Sequence, residues 1–287
     1  MKLSQIVILF LIIPNIFSVD YNTVLNNLEI LEGYMSDCVS KQQNVYKYIL
    51  QFIRSGKYNS WQWKLVAGEL PEKIYNCIKD KDKMYGTNTF ALREYGDIEL
   101  PTKKKIDFVH LFAVMNGIDY LAPFSTLVGW GGDLTTLAED LKNNFGSITD
   151  LNQLIIEARK FLGIKGQFGE GDLNSDIDAP IILRRKKESG KTLVNVIREF
   201  YNNSIDYDYR IKEFVRITFP YLEDRTQIRK FVELTYESDL SLSILECKCG
   251  IRKEFISCYL PGDLIPQYEN HRKAAIYAFA DYLGENI

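Results

Sequence analysis

The chain has 287 residues with 46% hydrophobic side chains, enough for a packed core and too many for a disordered chain. Its 38 carboxylates and 35 Lys and Arg leave a net charge of −3, and 25% of residues are charged. Near balance without a basic stripe argues against nucleic-acid binding, because phosphate contact needs concentrated positive charge; the short cluster Arg184 to Lys187 sits beside Glu188 and reads as a solvated helix face.

Residues 1–18 carry the three-part pattern of a secretory signal. Lys2 supplies the positive start, Ile6 to Ile13 the apolar run, and Ser18 a small residue at which a peptidase can cut. That run is about half the ~20 residues a membrane-spanning helix needs, and no later stretch is apolar enough. The expected product is an exported chain, residues 19–287, forming one helical domain with no membrane span.

Val24, Leu28, Leu31, Met35, Cys38, Val45, Ile49 and Phe52 recur at steps near three and four, which predicts one long amphipathic helix, or two in line, over 21–55. Trp61 and Trp63 anchor a turn, and Pro71 opens a short helix bearing Cys77. Two cysteines on neighbouring helices of an exported protein should form a disulfide, so Cys38 and Cys77 are paired. Cys247, Cys249 and Cys258 form a second group, of which two at most can pair with each other. Residues 87–100 read as a small β-hairpin turning at Tyr95 to Asp97.

Ile106 to Met115 reads as a buried helix, ending near Gly117. Ser147 or Thr149 caps a further helix from Leu151 to Leu162, and Gly163 ends it. Residues 166–178 look like a carboxylate-rich turn. Helices follow over 179–188, 191–201, 209–218, 225–236 and 270–283. The fold class is thus mainly α, a single multi-helix domain with a small β-hairpin, supported by disulfides.

Three segments place polar groups where apolar residues or a plain turn are expected. His110, one of two histidines, lies in the apolar helix with Asp107 three residues before it. A carboxylate at that spacing can orient one ring nitrogen while the other transfers a proton or binds metal. Trp130, Gly131, Gly132 and Asp133 form a loop that can line a cleft: the glycines permit close approach, Trp130 stacks on a sugar or peptide, and Asp133 caps a helix or serves catalysis. Asp172, Asn174, Asp176 and Asp178 imitate the first half of a calcium loop, but Ile177 replaces its glycine and Leu183 its final glutamate.

The resulting expectation is a secreted hydrolase with a His/Asp cleft. His110, Asp107, Asp133 and Asp176 form the catalytic set, Trp130, Gly131 and Gly132 contact substrate, and Asp172, Asn174 and Asp178 are ligands for a divalent metal, calcium or zinc. An extracellular glycan, cell-wall polymer or peptide is the expected substrate, since glycoside hydrolysis uses paired carboxylates. The alternative is a non-catalytic secreted binding or effector protein. Asn202 begins the one glycosylation sequon, completed by Ser204.

Overall fold

The computed structural model describes residues 20–39, 45–54, 68–121, 141–148, 150–162, 170–218, 226 and 265–285. Helix α1 (Tyr21–Cys38) begins where the Asp20 carboxylate accepts a hydrogen bond from the Thr23 N–H, satisfying a donor the first turn would otherwise leave unpaired. It buries Val24, Leu25, Leu28, Leu31 and Met35 along one stripe. Helix α2 (Val45–Arg54) buries Ile49, Leu50 and Phe52. The apolar period over 21–55 is therefore carried by two helices. Helix α3 (Glu72–Tyr85) follows Pro71 and stops at Gly86, whose φ of 65° is left-handed. The Cys38–Cys77 disulfide ties the end of α1 to the middle of α3, with Cα atoms 5.9 Å apart.

The hairpin lies later in the chain than its sequence pattern indicates. Residues Thr89–Glu94 form a 3-10 turn, and the paired strands are β1 (Asp97–Glu99) and β2 (Lys105–Asp107). The register joins Asp97 with Asp107, Ile98 with Ile106 and Glu99 with Lys105. Two causes account for the shift. The buried Asp82 carboxylate accepts from both the N–H and the hydroxyl of Thr89, pinning the start of the 3-10 turn. Ile98 and Ile106, both buried, also set which residues pair, because a one-residue slip would turn them to solvent.

Helix α4 (Phe108–Leu121) starts two residues later than expected and runs through Gly117. Helix α5 (Leu151–Leu162) has the predicted bounds, but Asp150 supplies the cap by accepting from the Asn152 N–H. Helix α6 (Glu170–Ser189) replaces the predicted turn and short helix with one 20-residue element. Helices α7 (Leu193–Asn202), α8 (Ser204–Asp208), α9 (Arg210–Thr218) and α10 (Ile265–Glu285) complete the described part. Apart from residue 226, which is helical, the expected 225–236 helix lies outside the described residues, as do Trp61, Trp63, Cys247, Cys249, Cys258 and the expected signal segment over residues 1–18.

Helix α4 packs between α2 and α6, while α6 also contacts β2, α7 and α9; α10 packs on α5. Phe52, Phe112, Phe200, Tyr201 and Phe214 are fully enclosed, each contributing about 2 kcal/mol by apolar burial. One long-range polar contact locks this arrangement: both oxygens of the buried Glu32 on α1 accept the first N–H groups of α7, from Leu193 at 2.7 Å and Val194 at 3.0 Å. Among the described residues no helix is long and apolar enough to cross a membrane.

The disulfide closes a loop of 39 residues, so the chain-entropy model assigns it about 4 kcal/mol. Cys77→Ser should lower unfolding stability by that order in urea titration, and adding reductant to the native chain should produce the same loss. Equal urea midpoints for the two chains would contradict it.

Candidate functional site

The site is built where α4 begins, where β2 ends and where α6 crosses both. Asp107 Oδ1 accepts the backbone N–H groups of Val109 at 2.7 Å and His110 at 3.0 Å. Asp107 thus starts the helix and fixes the main chain of His110. The sequence pattern points that carboxylate at the imidazole; the structure shows one of its oxygens at the helix start, where the first N–H groups of any helix need acceptors.

Helix α6 carries the remaining polar groups. Residues 171–183 are buried apart from the half-buried Asp172, with Leu173, Ile177 and Ile181 forming an enclosed stripe at steps of four. That apolar spacing accounts for a helix in place of a turn, and it outweighs the local cost of Pro180, which lacks an N–H. Glu170 and Asp172 in the first turn complement the positive end of the helix dipole.

The helical period divides the Asp-rich run into two rows. Residues four apart share a face, so Asp172 and Asp176 form one row and Asn174 and Asp178 another. The first row meets His110: Nε2 lies 3.0 Å from Asp176 Oδ1, and Nδ1 lies 3.7 Å from Asp172 Oδ1. The Asp176 side chain is 1% exposed, that of His110 16% and that of Asp172 21%. An enclosed carboxylate therefore holds one edge of the ring, and a partly solvated one faces the other.

The second row meets Arg210 at the start of α9. Arg210 Nη2 donates to Asn174 Oδ1, and its Nε lies 3.3 Å from Asp178 Oδ1. The guanidinium also stacks 4.5 Å from the centre of the Tyr207 ring. Asp172, Asn174 and Asp178, the expected calcium-like ligands, are consequently divided between two faces of α6. In a loop, alternate ligands can converge; in a helix they diverge, and a guanidinium occupies the side to which Asn174 and Asp178 turn. Among the described residues no group of three or more His, Cys, Asp or Glu is placed to hold a metal ion. Trp130, Gly131, Gly132 and Asp133 lie outside the described residues.

Two further residues seat α6. Asn174 Nδ2 donates to the Lys105 carbonyl at 2.7 Å, and Ser175 Oγ lies 2.8 Å from the Asp107 carbonyl and 2.6 Å from that of Gly171. Gly171 permits this closeness: a Cβ there would run into the Asp97 carboxylate and come within 3.1 Å of the Asp107 nitrogen. Asp97, cross-strand from Asp107, has its carboxyl raised above the ordinary range by burial, then by the neighbouring Asp107 and Glu170 charges, with Lys105 opposing.

Arg210, Gly171 and Ser175 were not singled out from sequence. A signal existed for Arg210, because Tyr207, Ile211 and Phe214 form an apolar stripe that it interrupts, and it is 5% exposed. Burial pushes the Asp178 carboxyl up to about 6, against the lowering effects of Arg210 and the nearby Tyr201 hydroxyl. Arg210 Nε, 3.3 Å from Asp178 Oδ1, offsets that desolvation only in part.

Fold and site together define a mainly helical, disulfide-linked domain in which a histidine is flanked by two carboxylates from one helix. The family model described as "YkzU uncharacterised protein" matches residues 104–287, more than half the chain, and the chain belongs to that family. No curated protein and no solved structure matches it.

Two outcomes follow. A folded-state pKa raised from 3.8 to about 6 means that the native state holds the Asp178 proton more tightly than the unfolded chain. This contribution is complete below the unfolded value and is lost as pH rises through 6, so Asp178→Asn should flatten the decline in stability across that window. Identical slopes in the two chains, read by urea denaturation at a series of pH values, would remove the assignment. Gly171→Ala should cost about 1–3 kcal/mol by forcing α6 from the hairpin, and an unchanged melting temperature would count against the close packing.

Proposed function

We propose that His110 is the general acid–base group of a hydrolytic site in an exported protein. Asp176 positions the imidazole and Asp172 supplies the carboxylate on its more open side. The observation that carries this reading is the 3.0 Å contact between His110 Nε2 and the enclosed Asp176. A buried carboxylate fixes the proton on the nitrogen it faces and stabilises the imidazolium formed when the ring accepts a second one. The Nδ1 edge, with Asp172 at 3.7 Å, is the side on which a substrate hydroxyl or attacking water would exchange that proton.

The signal-like residues 1–18 and the Cys38–Cys77 bond support export, because disulfides persist in oxidising compartments. Exposed Asn202 at the end of α7 would then be open to glycosylation. An extracellular glycan or cell-wall polymer is the favoured substrate class, since two carboxylates beside one proton carrier provide an acid and a stabiliser of positive charge. A divalent ion, if one binds, would be held by His110 and Asp172, whose donors are an imidazole nitrogen and a carboxylate oxygen.

The test is turnover of a panel of cell-wall glycans, glycosides and peptides by the purified chain. His110→Ala should reduce the rate at least 100-fold and Asp176→Asn about 10-fold or more, with far-UV circular dichroism unchanged. Chelator dialysis should leave an acid–base site active and would silence a metal-dependent one. Full activity in His110→Ala would reject the assignment. Saturable glycan binding without turnover by the native chain would replace it with the non-catalytic binding reading.

A further inference from the structure

The face of α6 turned away from His110 is fastened to α8 and α9. Asn174, Asp178 and Arg185 follow one another at spacings that return to the same side of a helix. Arg210 serves the first two, through Nη2 on Asn174 Oδ1 and through Nε, 3.3 Å from Asp178 Oδ1. Arg185 makes the third tie, donating to Asp206 at 2.5 Å and to Glu213 at 2.7 Å. Arg210 is itself held firmly. Its guanidinium lies 4.5 Å from the centre of the Tyr207 ring, and the buried Ile211, Phe214 and Val215 anchor its helix. A planar fork can hold two acceptors at a fixed separation, which a single ammonium does less well.

Asp172 and Asp176 each precede a member of the Arg210 row by two residues, about 200° round the helix. A helix gripped at two successive turns on one side cannot roll without breaking a contact there. Roll is the motion that would swing Asp176 past the imidazole. Side chains stand roughly 5 Å from a helix axis, so a roll of about 10° displaces a carboxylate by about 1 Å. That is enough to break the 3.0 Å contact between Asp176 Oδ1 and His110 Nε2. Arg210 also settles the direction of the Asn174 amide: with Oδ1 taken, Nδ2 is presented to the Lys105 carbonyl, 2.7 Å away.

We infer that Arg210 is a positioning residue for His110: by holding Asn174 and Asp178 it sets the rotation of α6 that brings Asp176 to the ring. This rests on the acid–base reading of His110 for its effect on turnover, whereas the geometric coupling stands apart from catalysis.

The test is nitrogen NMR of the imidazole rings in the full chain, in alkaline buffer where histidine is neutral. The chain has two histidines, and the signals lost in His110→Gln identify the ring of interest. Because the Asp176 carboxylate can only accept, native His110 should carry its proton on Nε2. Arg210→Gln should lower the ratio of Nε2–H to Nδ1–H tautomer about 10-fold, the worth of one hydrogen bond to a charged group. Should that variant lose its native circular dichroism through the unpaired Asp178, the double variant Asp178→Asn with Arg210→Gln removes both charges and carries the test. Arg185→Gln, which cuts a tie between the same helices further along α6, should leave the ratio unchanged. An unaltered ratio in the folded Arg210 variant, or a fall of equal size in Arg185→Gln, would overturn the inference. A native chain that turns over no substrate yet shows the expected ratios would reject the catalytic reading and leave the positioning role intact.

Discussion

Helix α6 is anchored to a strand through side chains: Asn174 and Ser175 reach the carbonyls of Lys105 and Asp107, on the edge of β2 that has no strand beside it among the described residues. A sheet of two strands ordinarily exposes such an edge to water or to another chain. Here the helix covers it, and the positions of the other polar groups follow from that seating. With Ser175 held against β2, the residues on either side of it turn to opposite faces of the helix. Asp176 goes to the histidine and Asn174 to the arginine. Gly171, one turn earlier, is the clearance that lets the helix come down on the strand pair.

The helix therefore joins two environments of different electrical character. On one side an imidazole lies between carboxylates of unequal exposure. On the other a guanidinium lies on a tyrosine ring, with Asp178 deeply enclosed beside it. Each row of acidic or amide side chains meets a positively charged or chargeable partner. An enclosed helix with this many polar residues needs such partners, since an unpaired buried charge would be disfavoured by several kcal/mol.

Much of the helical framework was legible in the sequence because apolar residues repeat with the helix period in α1, α2, α5, α7 and α9. The disulfide followed from placing Cys38 and Cys77 on neighbouring helices. The hairpin was displaced because short strands carry little periodic signal, and its register depends on Asp82 and on the buried pair Ile98 and Ile106. Helix α6 was missed because aspartates, asparagine, serine and proline have a local preference for turns, while its buried stripe depends on distant partners. His110 and Asp176 were both identified, yet their contact spans 66 residues and no local pattern encodes it. The helix-starting role of Asp107 was not legible for a related reason: spacing of three suggests a shared helix face, but residue 107 precedes the first helical turn.

The Glu32 carboxylate has a consequence for how the chain can be divided. The family match spans residues 104–287, whereas the acceptor for the Leu193 and Val194 N–H groups is Glu32, and the helices packed against α4 and α7 include α2 and α1, which also lie ahead of that span. A fragment confined to the matched span would leave two backbone donors uncapped and expose the face of α4 covered by α2. The N-terminal helices thus act as an intramolecular subunit of the matched segment. Their docking is non-local, spanning more than 160 residues, the class of contact whose loop-closure entropy slows folding. During synthesis α1 emerges about 160 residues before its partner α7, so the Glu32 carboxylate has no α7 N–H groups to cap until that later helix is made.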